Sequence, residues 1–297
     1  MTRIAHLSDL HFGANDPRIV AATEAWLQKR QPELVIISGD FTQRARTSQF
    51  REASAYLNRL QAAGLKVLAI PGNHDIPLFD IFRRFATPLR RYTRFIGNDL
   101  APWFQNETVA VLGINTARSL TIKDGRINAA QIALMRERFS AVPAHKTRIL
   151  VTHHPLFALP IGKGSEVAEA VGRHESAVAA ACDVGVHIAL AGHFHRTYAR
   201  SASSMAEKFG SALVIQAGTA TSTRLRNAEP QSFNWLHVER HDRVSLQVIA
   251  WNGASFSDGA EAEFVLDGGA WTATRASSER QDRIRHGQHG CVQLRTI

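Results

Sequence analysis

The stretch KVLAIPGNHD (residues 66–75) joins a short aliphatic run to a glycine and three polar side chains. A similar order recurs in IAHLSDLH (4–11), LVIISGD (34–40), RILVTHHP (148–155) and HIALAGHFH (187–195). Aliphatic and β-branched runs of this length predict buried strands, and the polar residues after them predict loops. Because loops at the carboxyl ends of strands in an α/β sheet meet at one crevice, we expect these polar side chains to lie close together.

Further strands are predicted at 109–114 and 213–216, and helical periodicity occupies residues 19–29, 48–62, 129–139 and 166–181. This alternation of strands and helices indicates an α/β protein. Residues 233–239 and 244–251 flank a charged turn and predict an antiparallel hairpin, so the sheets are expected to be mixed.

The chain has 297 residues, of which 44% are hydrophobic and 21% charged. This composition excludes a wholly disordered, collagenous or coiled-coil protein. The net charge of +9 favours anionic ligands. We predict a catalytic domain over residues 1–252. A C-terminal appendage follows over 253–297, rich in glycine, alanine, serine and arginine, and either loosely ordered or packed on the domain.

The two cysteines, Cys182 and Cys291, form no disulfide framework, which favours a reducing compartment. We see no secretory start and no apolar run long enough to span a membrane. The expected location is therefore the cytoplasm, with at most peripheral contact at the inner membrane. The P-loop, dinucleotide-binding and hydrolase-elbow motifs are absent from the sequence.

Seven oxygen and imidazole side chains follow the predicted strands: Asp9, His11, Asp40, Asn73, His153, His193 and His195. Mixed oxygen and nitrogen ligands without local thiols suit Mn, Fe or Zn ions. Seven ligands overfill the coordination sphere of one ion. A pair of divalent metal ions that share Asp40 as a bridge accommodates them all.

In this order, Asp-x-His, Gly-Asp, Gly-Asn-His-Asp, His and Gly-His-x-His resemble the motifs of the calcineurin-like metallophosphoesterase superfamily. The whole pattern is more similar to the bacterial branch with cyclic-nucleotide and glycerophosphodiester phosphodiesterases. The resemblance implies a four-layer α/β/β/α sandwich with two mixed sheets. It also implies two ion sites, which are formed by Asp9, His11, Asp40 and His195 and by Asp40, Asn73, His153 and His193.

By the same resemblance, a hydroxide that bridges the two ions, held about 3.5–4 Å apart, attacks phosphorus in line with the leaving oxygen. His74 is expected outside both metal shells, where it donates a proton or hydrogen bond to the leaving group. Asp75 is predicted to orient His74. Gln43 stands where protein Ser/Thr phosphatases carry an aspartate, which argues against a phosphoprotein substrate.

Several loop residues are candidates for substrate contacts in the same crevice. Arginine suits phosphate oxygens because its planar fork donates two hydrogen bonds at once. His154, which follows a predicted ligand, is placed either directly behind the ligands or at the rim. The candidate substrate-binding residues are Arg44, Asn115, Arg118, His154 and Arg224.

Residues 78–96 carry apolar side chains at helical spacing, with five arginines and one acid between them, and Pro88 predicts a break into two helices. One interpretation is an amphipathic pair packed on the domain with solvated arginines. The other is a basic, aromatic-rich cap that contacts a phosphate-bearing substrate or an anionic membrane.

The predicted function is phosphodiester hydrolysis, with a small diester of the 3′,5′-cyclic nucleotide type as the first substrate hypothesis. The alternative is a phospholipase C-like or glycerophosphodiester phosphodiesterase at the inner membrane surface. A nuclease is less favoured because the sequence contains no recognisable nucleic-acid module. A non-catalytic scaffold on the same fold is expected to have lost some of the metal-ligating residues, whereas all seven are present here. The sequence leaves the oligomeric state open.

Overall fold

We describe a computed structural model of the chain, over residues 1–121, 124–156, 171–172, 174–203, 210–225 and 229–277. The helices are α1 (Pro17–Arg30), α2 (Thr47–Ala62), α3 (Ile81–Ala86), α4 (Arg90–Phe95), α5 (Ala129–Ser140) and α6 (His174–Asp183). The strands are β1 (Thr2–Leu7), β2 (Leu34–Ile37), β3 (Val67–Ala69), β4 (Trp103–Gln105), β5 (Val109–Ile114), β6 (Thr147–Thr152), β7 (Ile188–Ala191), β8 (Tyr198–Ser201), β9 (Leu213–Gln216), β10 (Ser232–Arg240), β11 (Arg243–Trp251), β12 (Phe256–Asp267) and β13 (Ala270–Ser277).

The strands form two mixed sheets. The first has the order β13-β12-β11-β10-β1-β2-β3, in which β1, β2 and β3 are parallel and the remaining neighbours antiparallel. The second has the order β4-β5-β6-β7-β9-β8, with four parallel strands between two antiparallel edge strands. The predicted hairpin is the β10–β11 pair, which confirms that the sheets are mixed.

Three apolar clusters hold four layers together, one cluster between each pair of adjacent layers. Ile4 of β1 and Val109 of β5 pack in the cluster between the sheets, whereas Ala5 and Leu7 point to the opposite face and pack with α1 and α2. This alternation follows from the two-residue repeat of a strand. A third cluster lies between the second sheet and α5 and α6. The predicted four-layer α/β/β/α sandwich is therefore confirmed.

Local sequence explains where the main helices begin. Asp16 caps α1 by accepting a hydrogen bond from the backbone N–H of Arg18, and Pro17 occupies the first turn, where its missing N–H is tolerated. Asn128 and Gln131 cap α5 reciprocally. The predicted start of α6 at residue 166 lies outside the described residues, and α6 is described from His174.

Residues 256–277, in the segment expected to be either loosely ordered or packed on the domain, form two strands of the first sheet. The buried side chains of β12 alternate, and two of them are the alanines Ala260 and Ala262. Small buried side chains among glycine and acidic residues give a weak hydrophobic signal, which is why the strand was missed. Residues 278–297, with Cys291, lie outside the described residues. No helix in the part of the chain that the structure describes is long and apolar enough to cross a membrane.

Candidate metal centre

The loops after β1, β2, β3, β6 and β7 bring the predicted ligands together at one end of the two sheets. In the first group, Nε2 of His11 lies 3.1 Å from Nε2 of His195. Oδ1 of Asp9 lies 3.1 Å from Nε2 of His195 and 3.6 Å from Nε2 of His11. One ion could therefore contact a carboxylate and two imidazoles here.

The second group surrounds Asn73. Its Oδ1 atom lies 3.1 Å from Nε2 of His153 and 3.1 Å from Nδ1 of His193. Asp40 connects the two groups, because its Oδ2 atom is 3.4 Å from Nε2 of His153 and 3.7 Å from Nε2 of His11. The structure thus brings all seven predicted ligands together, with Asp40 between the two sets.

The neighbouring imidazoles keep both carboxylates ionised in spite of their burial. Burial alone would raise the pKa of Asp9, but His195, His11 and His153 hold that pKa well below its usual range. Burial opposes ionisation of Asp40 as well, yet His153 and His74 hold its pKa far below the ordinary value. Burial would lower the pKa of His153, whereas Asp40 and Asp9 raise it to about 9. The centre attracts positive charge.

These side chains fit a pair of divalent cations. Oδ1 of Asp9 is completely buried and has no hydrogen-bond partner, although it lies within 4 Å of two imidazoles. A buried carboxylate oxygen without a hydrogen bond is costly unless a cation or donor meets it. Carboxylate, amide and imidazole donors together suit Mn, Fe or Zn. The donor set and the unsatisfied oxygen agree with such a site.

The backbone of the ligand loops is strained. Among the described residues, five predicted ligands have a positive φ, with Asp9 at 56°, His11 at 51°, Asp40 at 54°, His193 at 78° and His195 at 56°. This left-handed region disfavours residues with a Cβ atom. Strain of this kind persists where the surrounding structure fixes the backbone, and it concentrates at functional sites.

Asp75 fixes two of these loops, and this corrects its predicted role. Its carboxylate accepts hydrogen bonds from the backbone N–H groups of Gly72, Phe41 and Thr42 at 3.0, 3.2 and 2.9 Å, and from the Thr42 hydroxyl at 3.1 Å. The predicted contact with the His74 ring is not made, because these donors occupy the carboxylate. Burial and the charge of Asp40 raise the pKa of Asp75 to about 7.

Close backbone approach also requires glycine at position 72. A Cβ atom on Gly72 would lie 2.4 Å from the backbone nitrogen of Asp40 and 2.2 Å from its Oδ1 atom. On the other side, the hydroxyls of Thr219 and Thr221 donate to the carbonyls of Asp9 and Leu10, each at 2.7 Å. The loop after β9 therefore supports the Asp9 loop through hydrogen bonds that the sequence alone did not reveal.

His74 lies beside the first group. Its ring packs edge to face against His11, with 4.8 Å between the centroids. Its Nδ1 atom is 2.8 Å from the carbonyl oxygen of Gln43. Since a carbonyl only accepts, Nδ1 carries the proton and Nε2 is the remaining acid–base atom.

A cavity of about 410 Å³ opens in front of His11, His74, Asn73 and His195. Two of the predicted substrate-binding residues, Arg44 and Arg224, line it. The guanidinium carbon of Arg44 lies 5.3 Å from the ring centroid of Phe79, in a cation–π contact. The remaining walls include Leu78, Phe79 and Arg84 from the segment 78–96 that the sequence offered as a cap. They also include three residues that the sequence did not propose as substrate contacts: Gln43, Ile76 and Leu225.

The other three predicted substrate contacts are absent from this cavity wall. Arg118 donates to the carbonyls of Asn115 and Ala117 and to the Gln131 side chain, and Oδ1 of Asn115 accepts from the Ala117 N–H. Both residues brace their own loop because backbone partners lie within reach. His154 is buried, with Nδ1 2.8 Å from the Thr116 hydroxyl and its ring 4.6 Å from that of His193. It lies behind the ligands, which is one of the two positions expected for it.

Three comparisons bear on this geometry. The family model for calcineurin-like phosphoesterases matches residues 2–197, a range that contains all seven predicted ligands. A probable cyclic nucleotide phosphodiesterase from a Synechococcus strain is 23% identical over 213 residues, which cover 66% of this chain and 74% of that protein.

Similar solved structures share the fold. Purple acid phosphatase PPD1 from yellow lupin seeds has a TM-score of 0.61 at 14% identity over 86% of this chain, which spans 52% of the lupin protein, about half its length. A dimetal phosphatase from Danio rerio has a TM-score of 0.58 at 14% identity, with 84% of this chain and 96% of that chain covered. GAP50, the anchor in the inner membrane complex of Plasmodium, has a TM-score of 0.55 at 10% identity, with 86% of each chain covered.

Proposed function

The chain belongs to the calcineurin-like phosphoesterase family, and from this premise we propose that it hydrolyses phosphodiesters with two divalent metal ions. The observation that carries the proposal is the position of Asp40, with Oδ2 within 4 Å of imidazoles from both ligand groups. One carboxylate between two sets of ligands suits a pair of ions better than a single ion.

In this proposal, Asp9, His11, Asp40 and His195 hold one ion, and Asp40, Asn73, His153 and His193 hold the other. When bound, two Mn, Fe or Zn ions activate water at neutral pH and neutralise charge on phosphoryl oxygens. The fold holds the backbone of five of these residues in the left-handed region. Preorganisation of this kind supports catalysis because little reorganisation is needed in the transition state.

His74 protonates the leaving oxygen. Its Nδ1 proton is held by the Gln43 carbonyl, so only Nε2 can exchange a proton with the substrate. Nε2 can donate to the leaving oxygen only when both ring nitrogens carry a proton, because Nδ1 keeps its own proton on the carbonyl. General acid catalysis by a positioned histidine contributes about 10²–10⁴ in rate.

A small diester of the 3′,5′-cyclic nucleotide type is the first substrate. The cavity has about 410 Å³, three arginines (Arg44, Arg84 and Arg224) line it, and Phe79 offers an aromatic surface for a base. The Synechococcus relative carries the name of a probable cyclic nucleotide phosphodiesterase, which supports the same class. In this proposal, three of the predicted substrate-binding residues support the site from behind instead of contacting substrate, through the loop contacts described above: Asn115, Arg118 and His154.

A phospholipid or glycerophosphodiester is the second candidate, at the cytoplasmic face of the membrane. The observation in its favour is that Leu78 and Phe79 belong both to the cavity wall and to the exposed surface, at 39% and 71% exposure. An acyl chain could follow this apolar path while the headgroup enters the cavity.

Hydrolysis by Mn²⁺-reconstituted protein separates the two candidates. We would compare 3′,5′-cyclic AMP with phosphatidylcholine vesicles, using Asp40→Ala as the blank and His74→Asn as the test of the acid. Turnover of cyclic AMP with a loss of about 10²–10⁴ in His74→Asn supports the first substrate class and the role of His74. Turnover of vesicles alone selects the second class. No turnover of either substrate, or equal turnover by Asp40→Ala, contradicts the proposal.

A further inference from the structure

Helix α3 turns its apolar residues to solvent and its second arginine to the interior. Ile81, Phe82 and Phe85 are 69%, 80% and 56% exposed, whereas Arg84 is 6% exposed. An amphipathic helix packed on a core shows the opposite arrangement. The interpretation of residues 78–96 as a helical pair packed on the domain is therefore wrong for α3. It holds for α4, where Tyr92 is buried and Phe95 packs on the core.

Arg84 fixes this inverted orientation. Its Nε atom donates to the carbonyl of Ser119 at 2.8 Å, Nη1 to that of Pro77 at 3.1 Å, and Nη2 to that of Thr121 at 2.6 Å. Asp80 caps the first turn of the helix by accepting from the Arg83 N–H. Because three charge-assisted hydrogen bonds hold the arginine, rotation of the helix would leave a buried charge unpaired.

The exposed apolar side chains form one surface at the mouth of the cavity. Arg84 ties α3 to the loop on either side of Leu120, which is 84% exposed. Leu78 and Phe79 extend the surface into the cavity wall. We call this surface the apolar rim, and it consists of Leu78, Phe79, Ile81, Phe82, Phe85 and Leu120.

The charges beside the apolar rim are mainly positive. Residues 78–96 contain five arginines and one acid, Asp80, which pairs with Arg83 at 2.6 Å. Arg44 lies against Phe79. Two copies of this basic surface would repel one another, and a chain with a net charge of +9 favours an anionic partner. Aromatic and aliphatic tips among arginines are typical of proteins that bind at the interface of an anionic membrane.

We propose that the apolar rim docks on the surface of an anionic phospholipid bilayer. Ile81, Phe82 and Phe85 enter the boundary between headgroups and acyl chains, and Arg83 and Arg90 contact lipid phosphates. The mouth of the cavity then faces the membrane. This docking serves the second substrate class proposed above, but it is tested by binding alone, so the failure of one does not imply the failure of the other.

The test is co-sedimentation of the full chain with vesicles of phosphatidylcholine containing about 30 mol% phosphatidylglycerol, compared with phosphatidylcholine alone. We expect stronger binding to the anionic vesicles and a loss of binding at high salt. The double variant Phe82→Ser/Phe85→Ser should lower the affinity for these vesicles at least about tenfold. The conservative double variant Phe82→Leu/Phe85→Leu should keep most of the parent's affinity. Both side chains are exposed, so thermal melting of these variants should match that of the parent chain.

Charge variants provide the matched control. Arg83→Glu/Arg90→Glu should abolish binding to anionic vesicles, whereas Lys29→Glu/Arg138→Glu, with the same change in net charge at exposed positions on α1 and α5, should leave most of it. Equal loss in both double variants overturns a localised docking surface. Absence of binding by the parent chain, unchanged binding by Phe82→Ser/Phe85→Ser, or a dimer that this variant dissociates also overturns the proposal.

Discussion

Nε2 of His11 and Nε2 of His195 lie 3.1 Å apart, although 184 residues separate the two histidines in the sequence. Both atoms are within 4 Å of Oδ1 of Asp9, a buried oxygen without a hydrogen bond. Two imidazole nitrogens and this carboxylate oxygen therefore lie 3.1–3.6 Å from one another. A cation between them would resolve this arrangement.

Removal of metal should therefore destabilise the protein. At a free metal concentration about 100 times the dissociation constant, binding adds about 2.7 kcal/mol to the free energy of unfolding. For a chain of this size, that corresponds to a rise in Tm of about 4 °C. Calorimetry with Mn²⁺ or with a chelator measures the shift. Asp258→Ala, an exposed acid, should keep the shift, and a full shift in Asp40→Ala would contradict the proposed ligand.

The strained backbone of Asp40 predicts an unusual order of stability. Its φ of 54° favours glycine, so Asp40→Gly should be more stable than Asp40→Ala by about 1 kcal/mol. Both variants lose the same carboxylate, so the difference between their free energies of unfolding reports the cost of the backbone conformation alone. The matched pair is at Glu52, an exposed position within α2, where alanine should be more stable than glycine by about 1 kcal/mol. Urea denaturation measures both differences, and the same order at both positions would rule out the strain.

Asp75→Asn should destabilise the fold. The amide replaces one acceptor oxygen by an NH₂ group that faces backbone donors, so the free energy of unfolding should fall by about 2–3 kcal/mol. Hydrolysis should fall as well, since the loops of Asp40 and His74 lose their common support. Asp80→Asn on the surface should leave the free energy of unfolding nearly unchanged, since exposed ion pairs contribute little. Unchanged stability with abolished hydrolysis would instead assign Asp75 a direct part in the reaction.

His6 predicts sensitivity to acid. It is completely buried, and burial lowers its pKa to about 3 from 6.5. In the unfolded chain His6 takes up a proton near pH 6.5, whereas the folded protein resists it. Its contribution is therefore complete above pH 6.5 and is lost between pH 6.5 and 3, by up to about 1.4 kcal/mol for each pH unit.

Urea denaturation at several pH values tests this contribution. His6→Gln should show a smaller loss of stability between pH 6.5 and 4.5 than the parent chain, because no buried imidazole must stay neutral. The exposed His145→Gln should retain the parent's dependence on pH. The prediction fails if the two variants have the same dependence.

Much of the architecture followed from the sequence because its signals are local. Aliphatic runs such as Leu34–Ile37, which is buried at every position, predicted interior strands, and helical periodicity predicted α1 and α5. The order of aspartates, asparagine and histidines after these strands predicted the cluster of ligands, since parallel strands deliver their carboxyl ends to one edge.

The tertiary structure alone decided which partners these side chains take. Asp75 is adjacent to His74 in sequence, yet the backbone donors of Phe41 and Thr42 occupy its carboxylate. Arg83 and Arg84 cannot be distinguished by the sequence pattern around them. In the structure, however, Arg84 donates hydrogen bonds to three backbone carbonyls, one before α3 and two in the loop at 119–121. Helical periodicity shows which residues share a face of the helix, but it does not show whether that face packs on the core or faces solvent. The orientation of α3 depends on hydrogen bonds with residues more than thirty positions away, which no local pattern encodes.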